Sequence, residues 1–115
     1  MEKLYNYEDR LVRFAGEVVF FTRGLPKDFS CDYYSAQLIR SSGSSTLNYG
    51  EAQGTVSKKD FIHKMSLVVK ELKESRGTLK ILKYIEGGEM QKLQWLLEEC
   101  EELVAIGSKM IYNKK

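Results

Sequence analysis

A single proline, Pro26, interrupts this 115-residue chain, against an average near 5% in globular proteins. Proline removes a backbone donor and clashes with the preceding helical turn, so its scarcity leaves long stretches free to be helical. The apolar spacing uses that freedom. Leu4, Tyr7, Leu11, Phe14, Val18, Phe21 and Leu25 recur at steps of three and four, which stacks side chains on one helix face. This predicts a first helix from about Tyr7 to Arg23, capped by Asn6, with Glu8 and Asp9 in the favourable first turn and Gly24 and Pro26 beyond its end.

Ser57 followed by Asp60 is a capping-box variant with Asp in place of Glu or Gln. Phe61, Met65, Val68, Leu72, Ser75, Leu79 and Leu82 continue from it in the same rhythm, predicting a helix of about 27 residues and ~40 Å. Gly87 and Gly88 punctuate it, and Met90, Leu93, Leu97, Cys100, Val104, Gly107 and Ile111 mark a further helix. Lys114 and Lys115 are expected to fray. Between Asp32 and Val56, the run Ser41-Ser42-Gly43-Ser44-Ser45-Thr46 has the composition of a flexible linker. Yet Tyr34, Leu38, Ser41, Ser45, Asn48 and Ala52 keep the four-three step, and a structureless loop that long is out of place in so short a chain. A second helix is therefore expected, its small residues letting a neighbour approach closely. Four amphipathic helices with short connections give an all-α, antiparallel up-down-up-down four-helix bundle, one domain over residues 1–115.

Several functions are excluded or weakened by what the chain lacks. Its longest apolar run, Val18-Val19-Phe20-Phe21, is four residues, far short of a membrane span. Met1-Glu2-Lys3 does not begin a secretion signal, so a cytoplasmic location is the expectation. One histidine and two distant cysteines, Cys31 and Cys100, do not make up the usual zinc ligand set, and no metal or other cofactor is expected. Cys100 lies on an apolar seam and His63 on an opposite polar face, so the two do not form a nucleophile pair. Gly87-Gly88 lacks the residues of a phosphate loop.

The segment from Gln37 to Ala52 resembles the signature of the four-helix bundle family of proteins encoded in intervening sequences of bacterial 23S rRNA genes. Gln37, Arg40, Ser45, Asn48, Glu51 and Ala52 occupy the positions of that signature, while Ile39 replaces a common second basic residue and Ala52 a common glycine. Leu25-Pro26-Lys27 resembles the family's first loop, and Ser57 to Ile62 and Lys70 to Ser75 its third helix. The resemblance implies a left-handed bundle that assembles as a homopentamer. It implies no catalytic residues. A related subfamily, the accessory protein of diversity-generating retroelements, binds nucleic acid together with a reverse transcriptase. Independently, Leu11, Val12, Phe14, Ala15, Val18, Val19 and Phe21 cover about half of the first helix's circumference at 100° per residue, with Phe20 beyond. That width suits self-association, or a helix sunk deeper in its own bundle.

The chain carries 18 basic and 16 acidic residues, a net charge of only +2, too mild to indicate nucleic acid by itself. The distribution says more. Residues 58–84 hold eight basic against three acidic residues, a net of +5, and residues 85–115 four against six, a net of −2. Lys59, His63, Lys70, Lys73 and Lys80 fall opposite the apolar seam, a stripe suited to phosphates and equally to an ordinary solvated face. With no aromatic groups visibly interleaved, binding through Lys59, Lys70, Lys73 and Lys80, with Arg40 as a weaker contributor, is expected to follow the backbone of RNA or DNA. A protein-docking adaptor without nucleic-acid binding is the alternative. Asn48 and Glu51 are one turn apart and are expected to form a buried polar network with Glu74, near Glu71 and Ser75. A carboxylate pair also suits acid-base chemistry, but no nucleophile or oxyanion donor set accompanies it, so the expected function is non-enzymatic. Tyr33, Tyr34 and Tyr49 suit either base stacking or packing with one wet hydroxyl.

Overall fold

The computed structural model describes residues 6–115; Leu4 and the Met1-Glu2-Lys3 start lie outside it. Four helices follow in order: α1 Tyr7–Arg23, α2 Phe29–Gln53, α3 Lys58–Tyr84 and α4 Met90–Lys114. Connections of four or five residues force successive helices to run antiparallel, and α1 packs on α2 and α4, as does α3. The result is an all-α four-helix bundle.

The helix ends follow from local chemistry. Asn6 and Ser57 cap α1 and α3, accepting the amide N–H groups of Asp9 at 2.8 Å and Asp60 at 3.0 Å. The second helix starts three residues before the Asp32 edge of the expected segment, because the Asp28 carboxylate accepts the Cys31 N–H at 2.8 Å. That bond holds the Asp28 carboxyl below its usual pKa. The last helix, capped by Glu89, stays regular to Lys114 instead of fraying there. At the end of α3 the Gly87 N–H reaches the Leu82 carbonyl at 2.9 Å and the Glu86 N–H the Lys83 carbonyl at 3.1 Å, a Schellman closure. Glu86 occupies its left-handed position at φ 54°. Gly88 follows at φ 85°, pressed so closely on Leu25 and Phe21 that a Cβ would sit 2.8 Å from both side chains.

Leu11, Phe14, Val18 and Phe21 of α1 meet Leu38 of α2, Met65, Leu72, Leu79 and Leu82 of α3, and Leu93, Leu96 and Leu103 of α4 in one continuous core. Each such side chain contributes roughly 1.5–3 kcal/mol when fully buried. The serine run is helical because of this packing. Ser41, Ser42 and Ser45 are buried, and Ser42 and Ser45 donate to carbonyls three residues back, at 3.3 and 2.7 Å. Ser41 meets Ser75 of α3, so α2 and α3 are joined by a seam of small residues.

Two internal fastenings fix α4 on α1. The Tyr7 hydroxyl donates to the Leu103 carbonyl at 2.7 Å, a close approach that the missing side chain of Gly107 allows, since a Cβ there would lie 2.8 Å from the hydroxyl oxygen. Arg10 donates through Nε and Nη2 to both oxygens of Glu99, at 3.0 and 2.8 Å, and Glu99 is only 5% exposed.

Candidate nucleic-acid interface

The helical repeat distributes the eight cations of α3 over three faces, and each face has a different fate. On the α2 side, Lys64 pairs with Glu51 at 2.5 Å. On the α4 side, Arg76 pairs with Glu101 at 3.7 Å and Lys83 donates to the Gln94 amide oxygen at 3.2 Å. Lys58 donates to the Lys115 carbonyl at 3.4 Å. Lys59, Lys70, Lys73 and Lys80 remain, all exposed, and among the described residues none of the four has a carboxylate within ion-pair distance. They share the outer face with exposed His63, and from Lys59 to Lys80 the row spans 21 helical steps, about 32 Å at 1.5 Å per residue.

Arg40 has a different role from a phosphate contact. Its guanidinium donates to Glu71 at 3.1 Å and to Glu74, and both carboxylates raise its pKa, Glu74 foremost. The pairing cancels acidic charge along one edge of the lysine row. The expected polar network of Asn48, Glu51 and Glu74 does not assemble. Asn48 donates to the Ser44 carbonyl within its own helix at 2.9 Å, exposed Glu51 holds Lys64, and Glu74 holds Arg40. The close Ser41–Ser75 approach sets the rotation of α2, and it is Arg40 that this rotation aims at α3.

Beside the row, Lys70 and Lys73 border a shallow depression of about 510 Å³ that Glu74 shares with a groove of about 360 Å³ between α2 and α3. Tyr33, Gln37, Arg40, Gly77 and Ile81 line that groove. Tyr33 is half exposed and its ring is braced edge-on by Tyr34, centroids 5.3 Å apart and planes at 83°. Tyr84, 90% exposed at the end of α3, extends the outer face by one aromatic ring. The sequence offers Tyr33 for either base stacking or packing; Tyr84 is not singled out there, although it lies four residues beyond Lys80 and therefore on the same face. Tyr49 packs instead into the core, edge-on to Tyr7 at 5.0 Å.

A second exposed surface lies on α1. Leu11, Phe14, Val18 and Phe21 are buried, Ala15 and Val19 half-buried, and Val12 and Phe20 each 54% exposed, with Arg23 stacked 5.4 Å over the Phe20 ring. Ile39 and Leu47 of α2 are exposed as well.

The two cysteines offer no accessible thiolate. Burial pushes the Cys100 thiol up to about 12 and raises that of Cys31, and Cys100 donates to the Leu72 carbonyl. Among the described residues no cluster of His, Cys, Asp and Glu is placed to hold a metal ion, and no helix is long and apolar enough to cross a membrane.

A crystal structure of a protein of unknown function, from the S23 ribosomal protein family of Bacteroides thetaiotaomicron, superposes with a TM-score of 0.84 at 26% identity, covering 92% of this chain and 98% of that one. Among curated proteins there is no match. Residues 6–111, which include all four helices almost entire, match the 23S rRNA-intervening sequence protein family. By that match and that fold, the chain belongs to the family of 23S rRNA-intervening sequence proteins.

Proposed function

We propose that the protein is a non-enzymatic, cytoplasmic binding module that self-associates and holds the phosphate backbone of RNA or DNA through Lys59, Lys70, Lys73 and Lys80. The observation that carries this reading is the division of charge on α3. The flanking cations are engaged by Glu51, Glu101, the Gln94 amide and the Lys115 main-chain oxygen, while the four outward lysines have no ion-pair partner among the described residues. Charges left in solvent in a row about 32 Å long are available to displace counterions from a polyanion. Self-association is supported by the outward Val12 and Phe20, and the family resemblance implies a pentamer. One stripe per subunit would then multiply the field.

Binding of structured RNA measured at several salt concentrations tests the reading. Four phosphate contacts give a log-log salt slope of roughly −3 to −4 per protomer. Absence of binding at low salt, or an affinity indifferent to salt, overturns it. A second reading, a protein-docking adaptor, draws on the exposed Val12, Phe20, Ile39 and Leu47. Light scattering after size exclusion separates the two uses of that surface, since a mass several times 13.3 kDa assigns it to self-association and a single protomer mass leaves it for another protein.

A further inference from the structure

We infer that the groove between α2 and α3 receives an unstacked nucleobase, so that the ligand is a single-stranded polynucleotide whose backbone runs along the lysine row. The inference rests on the phosphate-binding reading above and adds what that reading lacks, a place for the base.

Three features bring it out. The groove opens directly beside the row. Gly77 lies four residues after Lys73 and three before Lys80, on the same outer face, and lines the groove; nothing lies within 4 Å of where its Cβ would be, so at this one point the lysine row has no side chain walling it from the groove. The groove carries an aromatic ring for stacking, since Tyr33 lines it half exposed and is held in edge-to-face contact with Tyr34, so the ring is braced before any ligand arrives. The charge is complementary. Glu71 and Glu74 would repel a phosphate, but both carboxylates are engaged by Arg40, leaving Lys70, Lys73 and Lys80 to set the local potential. The Gln37 amide at the groove supplies both a donor and an acceptor for a base edge. A duplex keeps its bases stacked inside and offers the groove nothing, whereas a single strand presents one phosphate and one flat ring per nucleotide. About 360 Å³ is at the lower end of small-ligand clefts.

Fluorescence anisotropy with labelled single-stranded and duplex oligonucleotides of equal length, in ribose and deoxyribose forms, tests this with the full-length chain. Single strands of at least one sugar are expected to bind about tenfold tighter than duplex, the scale of one stacked base. Tyr33→Ala and Gly77→Leu, the second filling the groove while raising helix propensity, are each expected to erase that preference, leaving duplex affinity and the salt slope unchanged. Lys73→Ala combined with Lys80→Ala is expected to weaken both ligands and flatten the slope. A duplex preference for both sugars, or a single-strand preference that survives both groove variants, overturns the inference while salt-dependent binding keeps the phosphate reading standing. Equal displacement by an acidic Glu-Tyr copolymer overturns it in favour of a peptide. Loss of all binding at low salt removes both readings together.

Discussion

The hydroxyl oxygens of Ser41 and Ser75 lie 2.7 Å apart in the buried seam between α2 and α3, a side-chain hydrogen bond that joins these two helices inside the core. Ser41 also reaches its own helix at the Leu38 carbonyl, at 3.4 Å, so the two partners are not equivalent. Ser41→Ala removes the one hydrogen-bond partner of the Ser75 hydroxyl among the described residues and is expected to cost about 1–2 kcal/mol. Ser75→Ala should cost less, because Ser41 keeps its local acceptor. Urea unfolding of the two single variants and the double should show the double well below the sum.

Arg10 and Glu99 form a two-point pair whose carboxylate is almost fully enclosed. Arg10→Ala strands a buried charge and is expected to destabilise the bundle by about 3 kcal/mol. Glu99→Ala should be milder, since Arg10 is partly exposed and still reaches Glu102 at 3.2 Å. Thermal unfolding of both variants checks the order, and equal losses would contradict it.

Glu86 holds a left-handed backbone at φ 54° to close the end of α3. An L-residue with a Cβ pays roughly 1 kcal/mol or more for that conformation, and glycine does not. Glu86→Gly is therefore expected to raise stability by up to about 1 kcal/mol, visible as a higher denaturation midpoint at an unchanged slope.

Burial, and secondarily Tyr49, raise the Tyr7 pKa above its ordinary 10.0. A group with a raised folded pKa contributes stability that is intact below the unfolded value and lost as pH climbs towards the folded one. The native chain is expected to lose stability above about pH 10. Tyr7→Phe should cost about 1 kcal/mol at neutral pH through the lost bond to Leu103 and show a shallower alkaline decline. An equally steep decline would place the sensitivity elsewhere.

The boundaries of α1 and α3 are legible because capping chemistry is local: Asn6 and Ser57 act within three residues of themselves. The serine-rich helix is legible only from its buried positions, since the composition of residues 41–46 argues for a linker until Ser41, Ser42 and Ser45 are seen on the seam. Its start at Phe29 is not marked in the apolar pattern, because Asp28 works through a hydrogen bond rather than through packing. The lysine stripe follows directly from the repeat. The partners of Asn48, Glu51 and Arg40 do not, because they depend on how far α2 is rotated against α3, a quantity fixed by interhelical contact. The groove at Tyr33 is illegible for the same reason: it is made jointly by residues of α2 and α3 that lie more than thirty positions apart in sequence.

The serine seam also bears on the order in which the bundle assembles. Side chains that reach back to carbonyls of their own turn, as those of Ser42, Ser45, Thr46 and Asn48 do, add little to helix formation in an isolated segment, and a helix with a costly nucleus needs neighbours to persist. The α2 segment is thus the member whose helicity is conditional on its neighbours α1 and α3. In native-state hydrogen exchange its amides would open at lower free energy than those of α3. A chain folding in that order exposes the Ser75 side of α3 before α2 arrives, and the groove that α2 completes would be the last surface of the molecule to form.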